Sequence, residues 1–405
     1  MYAPLYWLAL GAFAVGTEGF MIAAILPRIA ADLSVSLVAA GQVITIFAFA
    51  YGVSSPILTA LTGKVPRRQF LIYAMSGFAV ANILAAIAPN YISLVAARIL
   101  LAFTAGLYVP GANALAGSMV PPEKRGRAIA IVNGGLTIAV TLGVPLGAVI
   151  GNALGWRSTF AAVALLSGLA LIGLVFGLPK GVGANIPTAR FRERIAVAKQ
   201  PGVLPSLLVT LLWAVGAYTV YTYVAPFMAH AIAIQGGALG GVLFLWGLSA
   251  AFGLAIGGTA ADRLGTDKVV GIALAIAALA LISLSNWAHL FSPHAALIPV
   301  LLTVVLWGMA HWGFWPAQQA RLIGLAGLKV APVALSLNAS FMYLGFALGA
   351  ALGSLTLRHL SVADLGWAGG GSVVVSLALF LALTVKARGL AAKRDAIGAQ
   401  GLGVE

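Results

Sequence analysis

The sequence contains no cysteine, which excludes disulfide bonds, thiolate metal sites and cysteine nucleophiles. It is also poor in charge, because only 8% of its 405 residues are charged and only nine are acidic. The acidic residues are scattered, and neither a histidine cluster nor a phosphate-binding glycine loop accompanies them. These absences argue against an enzyme and predict neither a cofactor nor a metal site.

Long apolar segments fill the chain instead. Hydrophobic residues make up 61% of it, and the mean hydropathy is +1.05. A membrane-spanning helix needs about 20 mostly apolar residues, so the sequence predicts an all-α membrane protein with twelve spans in a lipid bilayer. The predicted spans are 4–27, 41–62, 69–88, 91–119, 127–151, 157–178, 204–229, 239–260, 267–287, 295–318, 334–357 and 367–386.

The net charge of +14 is distributed as in a membrane protein rather than a nucleic-acid-binding one. With twelve spans, alternate loops and both termini share one face, and that face receives 19 of the 23 lysines and arginines. The other face receives Arg28, Arg157 and Arg358, whereas Arg98 falls within a span. The positive-inside rule therefore predicts that both termini are cytoplasmic. No nucleic-acid partner is expected.

Two glycine ladders indicate an internal repeat. In each ladder a glycine recurs every fourth residue, and the two ladders lie 202 residues apart. The ladders are Gly143, Gly147 and Gly151, and Gly345, Gly349 and Gly353. The repeat predicts two pseudo-symmetric six-helix bundles, 1–178 and 204–405, joined by a basic cytoplasmic linker at 179–203.

The ladders and the linker each have two interpretations. Glycines at this spacing line one helical face and let another backbone approach closely. With Pro145, which weakens the helical hydrogen bonds before it, the first ladder suits helices that slide or rock; static close packing is the alternative. The linker is interpreted either as a surface helix at 188–199 on the cytoplasmic leaflet or as a connection that only enforces topology.

Ionisable residues within the bilayer are the sharpest functional signal, because a charge there costs at least about 2.5–3.5 kcal/mol. Glu18 and Arg98 lie deep within predicted spans at similar depth, which predicts an ion pair or a shared polar cavity. Burial favours a neutral carboxyl, whereas a nearby guanidinium favours a charged one. Glu18 is therefore the candidate proton-coupling group, with a structural partner of Arg98 as the alternative. His311 is a further proton-coupling candidate, with neutral packing as the alternative.

The candidate substrate site is aromatic and uncharged. Aromatic faces stack on sugars, purines or flat drugs, and amides supply directional hydrogen bonds. Few fixed charges disfavour a strongly anionic substrate. Since interfacial belts also concentrate Trp and Tyr, only part of the set is expected to line the cavity. The set comprises Gln42, Thr45, Asn113, Asn133, Trp213, Tyr218, Tyr221, Tyr223, Trp307, Trp312, Trp315, Gln318 and Asn338.

Several segments resemble motifs of the major facilitator superfamily, within the twelve-span bacterial efflux branch of drug:proton antiporters and sugar or nucleoside exporters. GTEGFMIAAILPRIAADLSVS (16–36) is similar to that branch's opening signature, and GGLTIAVTLGVPLGAVIG (134–151) is similar to its antiporter motif. GGTAADRLGTDK (257–268) resembles the loop motif found between the second and third span of each half.

The corresponding loop of the first half, LTALTGKVPRRQ (58–69), departs from that motif, with Gly63 in place of Asp and Pro66 in place of Gly. A charge relay through that Asp cannot operate there. The resemblance implies a gating role for the residues that remain in the two loops. These residues are Arg67, Arg68, Asp262 and Arg263. RILLAFTAG (98–106) with Pro110 resembles the family's fourth span, and this resemblance implies a proton-coupling role for Arg98.

The resemblance implies a monomeric secondary transporter of the bacterial inner membrane, which exports a small neutral or weakly cationic organic compound in exchange for protons. Its two halves would rock about a substrate held near the membrane midplane. A dedicated sugar or purine nucleoside exporter is the alternative within transport. A non-transporting membrane receptor is the alternative from another class.

Overall fold

The computed structural model describes residues 3–63, 65–121, 124–183 and 191–401. Within this part of the chain, twelve helical segments are long and apolar enough to cross a membrane. Lys64, residues 188–190 of the predicted linker helix and the side chains of residues 387–401 lie outside the description. The predicted number of spans is confirmed.

The first six spans are formed by seven helices, because a π-helical turn divides the fifth span into α5 and α6. Their bounds are α1 Ala3–Asp32, α2 Leu37–Leu61, α3 Arg67–Ala86, α4 Tyr91–Ser118, α5 Arg125–Ile138, α6 Val144–Ala153 and α7 Trp156–Gly177.

A short helix, α8 (Phe191–Ala198), precedes the last six spans, of which the seventh continues past a short break as α10. The bounds are α9 Val203–Tyr221, α10 Val224–Ile232, α11 Leu239–Leu264, α12 Thr266–Leu290, α13 Pro293–Ala326, α14 Ala331–His359 and α15 Leu365–Gly401. The two sets of spans form two six-helix bundles, so the predicted fold class is confirmed.

Several helices extend past the predicted spans because polar side chains at their ends find partners. The first span was predicted to end at residue 27, but α1 continues to Asp32. Arg28 donates from Nε to Oδ1 of Asn152 at 3.3 Å. Hydropathy alone marks the apolar part of a helix, not its hydrogen-bonded end.

Both glycine ladders pack within their own half. At the centre of the first ladder, a Cβ on Gly147 would lie 3.0 Å from the Cβ of Met21 in α1. At the start of the second, a Cβ on Gly345 would lie 2.5 Å from the carbonyl oxygen of Leu211 in α9. Only glycine permits such close approach, and the contacts favour the static-packing interpretation of the ladders.

The irregularity expected near Pro145 is the π-helical turn at Ala139–Gly143. Proline donates no backbone hydrogen bond, which weakens the turn before it. The hydroxyl of Thr141 in this turn lies 3.1 Å from the carbonyl oxygen of Gly247 in α11, which belongs to the other half. The irregular turn therefore contributes to the contact between the halves.

The halves also meet along α2 and α14 and along α1 and α9. Nε2 of Gln42 donates to Oγ of Ser354 at 3.1 Å, and the hydroxyl of Tyr221 donates to the backbone oxygen of Phe20 at 3.1 Å. We call the membrane face that holds α8 and the loop between α2 and α3 the basic face, and the other one the opposite face. The Gln42–Ser354 and Thr141–Gly247 contacts lie between the middle of the membrane and the opposite face.

The linker helix α8 packs against the C-terminal half. Nη1 of the buried Arg194 donates to Oγ of Ser336 in α14 at 2.7 Å, and Val197 is buried beside Leu207. Burial lowers the pKa of the Arg194 guanidinium, while the carboxylate of Glu193 opposes that shift. The linker is therefore helical at Phe191–Ala198, where it packs against the C-terminal half, and it does more than enforce topology.

Candidate functional site

A buried ion pair lies inside the N-terminal half. Glu18 of α1 accepts a hydrogen bond at Oε1 from Nη1 of Arg98 in α4, and both side chains are fully buried. The structure thus brings together the two charged residues that the sequence placed within the bilayer. The role of this pair in proton coupling stays a prediction.

The ion pair leaves several polar atoms without a partner. No described residue bonds Oε2 of Glu18 or Nε and Nη2 of Arg98, although all three atoms are buried. The guanidinium carbon of Arg98 also lies 4.0 Å from the ring centroid of Phe47 in α2. A desolvated cation–π contact contributes about 2 kcal/mol, so Arg98 has a second stabilising contact that does not depend on the charge of Glu18.

Aromatic side chains from both halves meet at the centre of the molecule. The ring of Phe20 in α1 lies 6.1 Å from Tyr221 and 6.3 Å from Trp312. Tyr51 of α2 stacks on Tyr343 of α14 with 3.5 Å between centroids. We call this group the aromatic cluster. It comprises Phe20, Tyr51, Tyr218, Tyr221, Trp246, Trp307, Trp312, Tyr343 and Phe346.

The ion pair and the aromatic cluster are in continuous contact. Phe47, which covers the Arg98 guanidinium, lies 6.2 Å from the ring of Tyr51. Tyr343 then connects Tyr51 to Phe346, at 5.2 Å between ring centroids. A rearrangement of the cluster can therefore reach the ion pair through Phe47.

His311 lies on the far side of the cluster, in α13. Its ring stacks on Trp213 with 4.1 Å between centroids and an interplanar angle of 13°, and it lies 6.3 Å from Trp246. The imidazole is buried, and no described residue bonds its Nδ1. Stacking between aromatic rings favours the packing interpretation of His311, and its proton-coupling role stays a prediction.

The predicted polar lining residues fall into two groups, those that bond between the halves and those that bond within one half. Gln42 connects the two halves through Ser354, as described above. Asn113 of α4 donates from Nδ2 to Oδ1 of Asn133 in α5 at 3.1 Å, and both side chains are half-buried. The hydroxyl of Thr45 lies 3.4 Å from the carbonyl oxygen of Gly41 in its own helix.

Gln318 and Asn338 lie in a hydrogen-bonded network inside the C-terminal half, and their role in lining the substrate site stays a prediction. Nε2 of Gln318 lies 3.1 Å from Oγ of Ser206 and 3.0 Å from Oγ1 of Thr210, and that hydroxyl donates to Oδ1 of Asn338 at 2.7 Å. Both amide side chains are fully buried. They hold α13 and α14 to α9, because a buried amide without such partners would be costly.

Trp213, Tyr218 and Trp315 lie where aromatic contacts were expected. Tyr218 stacks on Phe346 at 3.5 Å, and Trp315 lies 6.2 Å from Trp213, beside His311 rather than within the cluster itself. The aromatic part of the predicted lining therefore surrounds the centre more closely than the amide part.

The basic pair of the first loop makes contacts inside the N-terminal half. Arg68 donates from Nε to the carbonyl oxygen of Leu178 at 3.2 Å and from Nη2 to that of Val175 at 2.6 Å, where α7 ends. Cations stabilise helix C-termini in this way. Arg67 is buried, with its guanidinium carbon 5.2 Å from the ring of Phe70.

The acidic and basic residues of the second loop are differently placed. Asp262 and Arg263 are both exposed at the end of α11, and neither forms an ion pair with a described residue. The gating roles of these two residues and of Arg67 and Arg68 stay predictions.

Sequence reasoning missed several residues of the site. Phe20, Tyr51 and Phe346 gave no signal, because a single ring in an apolar helix looks like any other lipid-facing or core residue. Gly240 and Gly247 did show a sequence signal for a close helix contact, since a seven-residue spacing places both glycines on one helical face. A Cβ on Gly247 would lie 2.5 Å from the carbonyl oxygen of Val140 in the other half.

Two six-helix bundles that meet around a central polar and aromatic site are typical of a membrane transporter. The profile of the Major Facilitator Superfamily matches residues 8–227, and the chain belongs to this family of transporters.

Three relatives align over nearly the whole chain. Inner membrane transport protein YdhP of Escherichia coli K12 is 35% identical, covering 93% of this chain and 94% of its own. A chloramphenicol resistance protein of Streptomyces lividans is 30% identical, with coverages of 93% and 95%. A probable sugar efflux transporter of Mannheimia succiniciproducens is 28% identical, with coverages of 95% and 94%. The chain is thus a multi-pass inner membrane transporter with efflux-type relatives.

A solved structure supports the same fold. The crystal structure of a peptide transporter with alafosfalin superimposes with a TM-score of 0.77, covering 95% of this chain and 94% of that one. Its sequence identity is only 15%, so the likeness concerns the fold alone.

Proposed function

We propose that this protein exports a small neutral or weakly cationic organic compound from the cytoplasm in exchange for protons. The observation that carries the proposal is the buried Glu18 carboxylate, whose Oε2 has no partner among the described residues and which contacts the central aromatic cluster through Arg98 and Phe47. The relatives named for chloramphenicol resistance and sugar efflux support the direction of transport. The protein acts as a monomer, with the basic face and both termini in the cytoplasm.

Protons and substrate compete through the ion pair. A proton added at Oε2 neutralises Glu18, and the cation–π contact with Phe47 continues to stabilise Arg98. Substrate that stacks on Tyr51 moves the ring of Phe47 toward Arg98. The attraction between the Arg98 guanidinium and the ionised carboxylate of Glu18 then becomes stronger. Because this favours the ionised form of Glu18, the proton is released. Linkage makes the effect reciprocal, so a proton bound at Glu18 lowers substrate affinity by the same factor.

Alternating access follows from rocking of residues 1–178 against 204–405. In the state described here, contacts such as Gln42–Ser354 and Thr141–Gly247 join the halves toward the opposite face. We infer that this state receives substrate from the basic face and that the contacts toward the opposite face must part for release.

A dedicated sugar exporter is the second candidate, and the 28% identity to a probable sugar efflux transporter favours it. Stacking rings and uncharged hydrogen-bonding groups suit a sugar as well as a flat drug. A substrate panel separates the two, because a multidrug exporter handles chemically unrelated lipophilic compounds and a sugar exporter does not.

The test uses purified protein in liposomes that contain a pH-sensitive dye and carry an imposed proton gradient. Chloramphenicol-like compounds, cationic lipophiles, sugars and nucleosides are added in turn. We expect at least one to drive proton movement, and we expect Glu18→Gln to abolish that movement while substrate binding persists. The neutral amide keeps the shape of the side chain but cannot exchange a proton.

Asp32→Asn is the matched control, because Asp32 lies at the end of the same helix and is partly exposed beside Arg157. It is expected to transport as the unmodified protein does. Coupled proton movement that survives in Glu18→Gln would assign coupling to another residue. A protein that binds a compound yet moves neither it nor protons would support a receptor instead.

A further inference from the structure

We propose that the substrate is a flat, neutral compound rich in hydrogen-bond acceptors and poor in donors. This inference rests on the proposed function in one respect, since it takes the aromatic cluster as the substrate site. It goes further by deriving the chemistry of the ligand from the unpartnered polar atoms of that site.

Four tryptophans in and beside the cluster have buried indole N–H groups that no described residue accepts. They are Trp213, Trp246, Trp307 and Trp312. Trp246 lies 5.5 Å from Trp307 and 6.5 Å from Trp312, measured between ring centroids. An indole N–H is a donor only, and buried donors in proteins are nearly always satisfied. Since no described residue accepts from these groups, a bound ligand is the acceptor that the proposal assigns to them.

Three tryptophans away from the cluster do have acceptors. Nε1 of Trp287 donates to Oγ1 of Thr303 at 3.0 Å, and Nε1 of Trp367 donates to Oδ1 of Asn286 at 2.8 Å. Nε1 of Trp156 likewise donates to the carboxylate of Asp32. The fold thus supplies acceptors to indoles away from the centre, and the four unpartnered ones gather where substrate is proposed to bind.

The neighbouring charged pair adds to the excess of donors. Nε and Nη2 of Arg98 are buried without a partner among the described residues. The corresponding unpartnered acceptors of the candidate site residues are fewer than the donors of the four indoles and Arg98 together, and they are Oε2 of Glu18, Oδ1 of Asn113 and Oε1 of Gln318. Nδ1 of His311 donates or accepts according to its tautomer. Carbonyl, nitro or ether oxygens of a ligand would accept hydrogen bonds from these donors. Such groups carry no N–H or O–H of their own that would need a partner in the site. A hydroxyl-rich sugar would bring about as many donors as acceptors, and its own donors would be left unpartnered.

The arrangement of the aromatic rings indicates the second property of the proposed substrate, which is that it is flat. Tyr51 and Tyr343 are nearly parallel, with an interplanar angle of 17°, and so are Tyr218 and Phe346, at 16°. A flat ligand can replace one ring of such a pair and keep the stacking contact. The site therefore combines aromatic faces with unpartnered donors.

The test measures equilibrium binding to the purified full-length protein in detergent, at constant pH and without a proton gradient. The probes are coumarin, which has two acceptor oxygens and no donor; naphthalene, which has neither; and methyl glucoside, which has hydroxyls. We expect coumarin to bind more tightly than naphthalene after correction for partitioning into detergent, and methyl glucoside to bind least. Coumarin affinity should fall about threefold to tenfold in Trp246→Phe or Trp307→Phe, the worth of one neutral hydrogen bond.

Naphthalene separates the lost N–H from the altered ring, because its affinity should change by no more than about twofold in the same variants. Trp287→Phe is the matched control and should leave both probes unchanged, since Thr303 accepts its N–H. Trp312→Phe serves if either first variant fails to fold. Coumarin binding no tighter than naphthalene, equal losses for both probes, or tighter binding of methyl glucoside would each overturn the inference. Because no gradient is involved, failure here and failure of the Glu18→Gln experiment are distinguishable.

Discussion

The two halves share a backbone plan but differ in the charge they bury. The central glycines of the two ladders face Met21 in α1 and Tyr218 in α9, so these two positions correspond. Glu18 lies three residues before Met21 and therefore corresponds to Val215. An ionised pair in one half thus stands against an apolar side chain in the other.

The buried polar side chains that are described in the C-terminal half carry amides, hydroxyls and a ring nitrogen instead. Gln318 and Asn338 bond to hydroxyls of α9, and His311 lies between aromatic rings. The difference suggests a division of labour in which the N-terminal half responds to protons and the C-terminal half supplies much of the surface that recognises substrate. The following predictions test that division, from the largest expected effect to the smallest.

Arg98→Leu should have the largest effect, because it leaves the buried carboxylate of Glu18 without a counter-charge. Removal of one member of a buried ion pair costs about 3–5 kcal/mol. We expect a marked fall in the thermal unfolding midpoint of the purified protein, together with loss of coupled proton movement. The measurement is unfolding in detergent monitored by intrinsic fluorescence.

The double variant Glu18→Leu with Arg98→Leu makes the N-terminal half apolar at this depth, as the C-terminal half is at Val215. Stability should largely return, since apolar replacement of a whole buried pair is often neutral or stabilising. Proton coupling should stay absent. A double variant as unstable as Arg98→Leu would mean that the pair is needed for folding, and the contrast between the halves would then concern structure rather than transport.

The sequence predicted the fold and the ion pair because each rests on a strong signal. Twelve apolar segments define the spans whatever their packing, and Glu18 and Arg98 are conspicuous because charge within a bilayer is costly. The repeat of the glycine ladders likewise predicted two similar six-helix bundles, because it depends only on the spacing of residues along the chain. Helix ends such as Asp32 were missed, since they depend on partners distant in the chain.

The composition of the site could be predicted only in part. Gln318 looks like a cavity residue by its type, but whether an amide faces substrate or a neighbouring helix depends on tertiary packing. Phe20 is ordinary by type and central by position. The contacts of Gly247 across the halves also depend on how two bundles meet, which no single helix determines.

The contact between the halves is tested by Gly247→Ala. Its Cβ would lie 2.5 Å from the carbonyl oxygen of Val140, so the helices must separate. Overpacking of this kind costs about 1–3 kcal/mol, which corresponds to a shift of about 5- to 150-fold away from the state described here. The chain has no cysteine, so spin labels on Leu154→Cys and Gly237→Cys report the separation at the opposite face without background.

Gly241→Ala is the control for this variant, because it lies on the same helix and its Cβ would meet no atom of the described residues within 4 Å. The spin-label distance distribution should stay as in the parent. Equal shifts in both variants would indicate a general effect of alanine on α11, such as its higher helix propensity, and not a contact between the halves.

The smallest effect is expected for Gln42→Ala, which removes the hydrogen bond to Ser354 between the halves. One neutral hydrogen bond contributes about 0.5–1.5 kcal/mol, so the spin-label populations should shift about two- to tenfold while the unfolding midpoint hardly changes. Gln318→Ala should do the reverse, because its amide holds α13 to α9 inside one half. It should lower the unfolding midpoint and leave the populations as they are. The opposing outcome is that Gln42→Ala and Gln318→Ala change the unfolding midpoint equally and also change the spin-label populations equally. An amide that joins the halves would then have the same role as an amide within one half, and these contacts would not support rigid-body rocking.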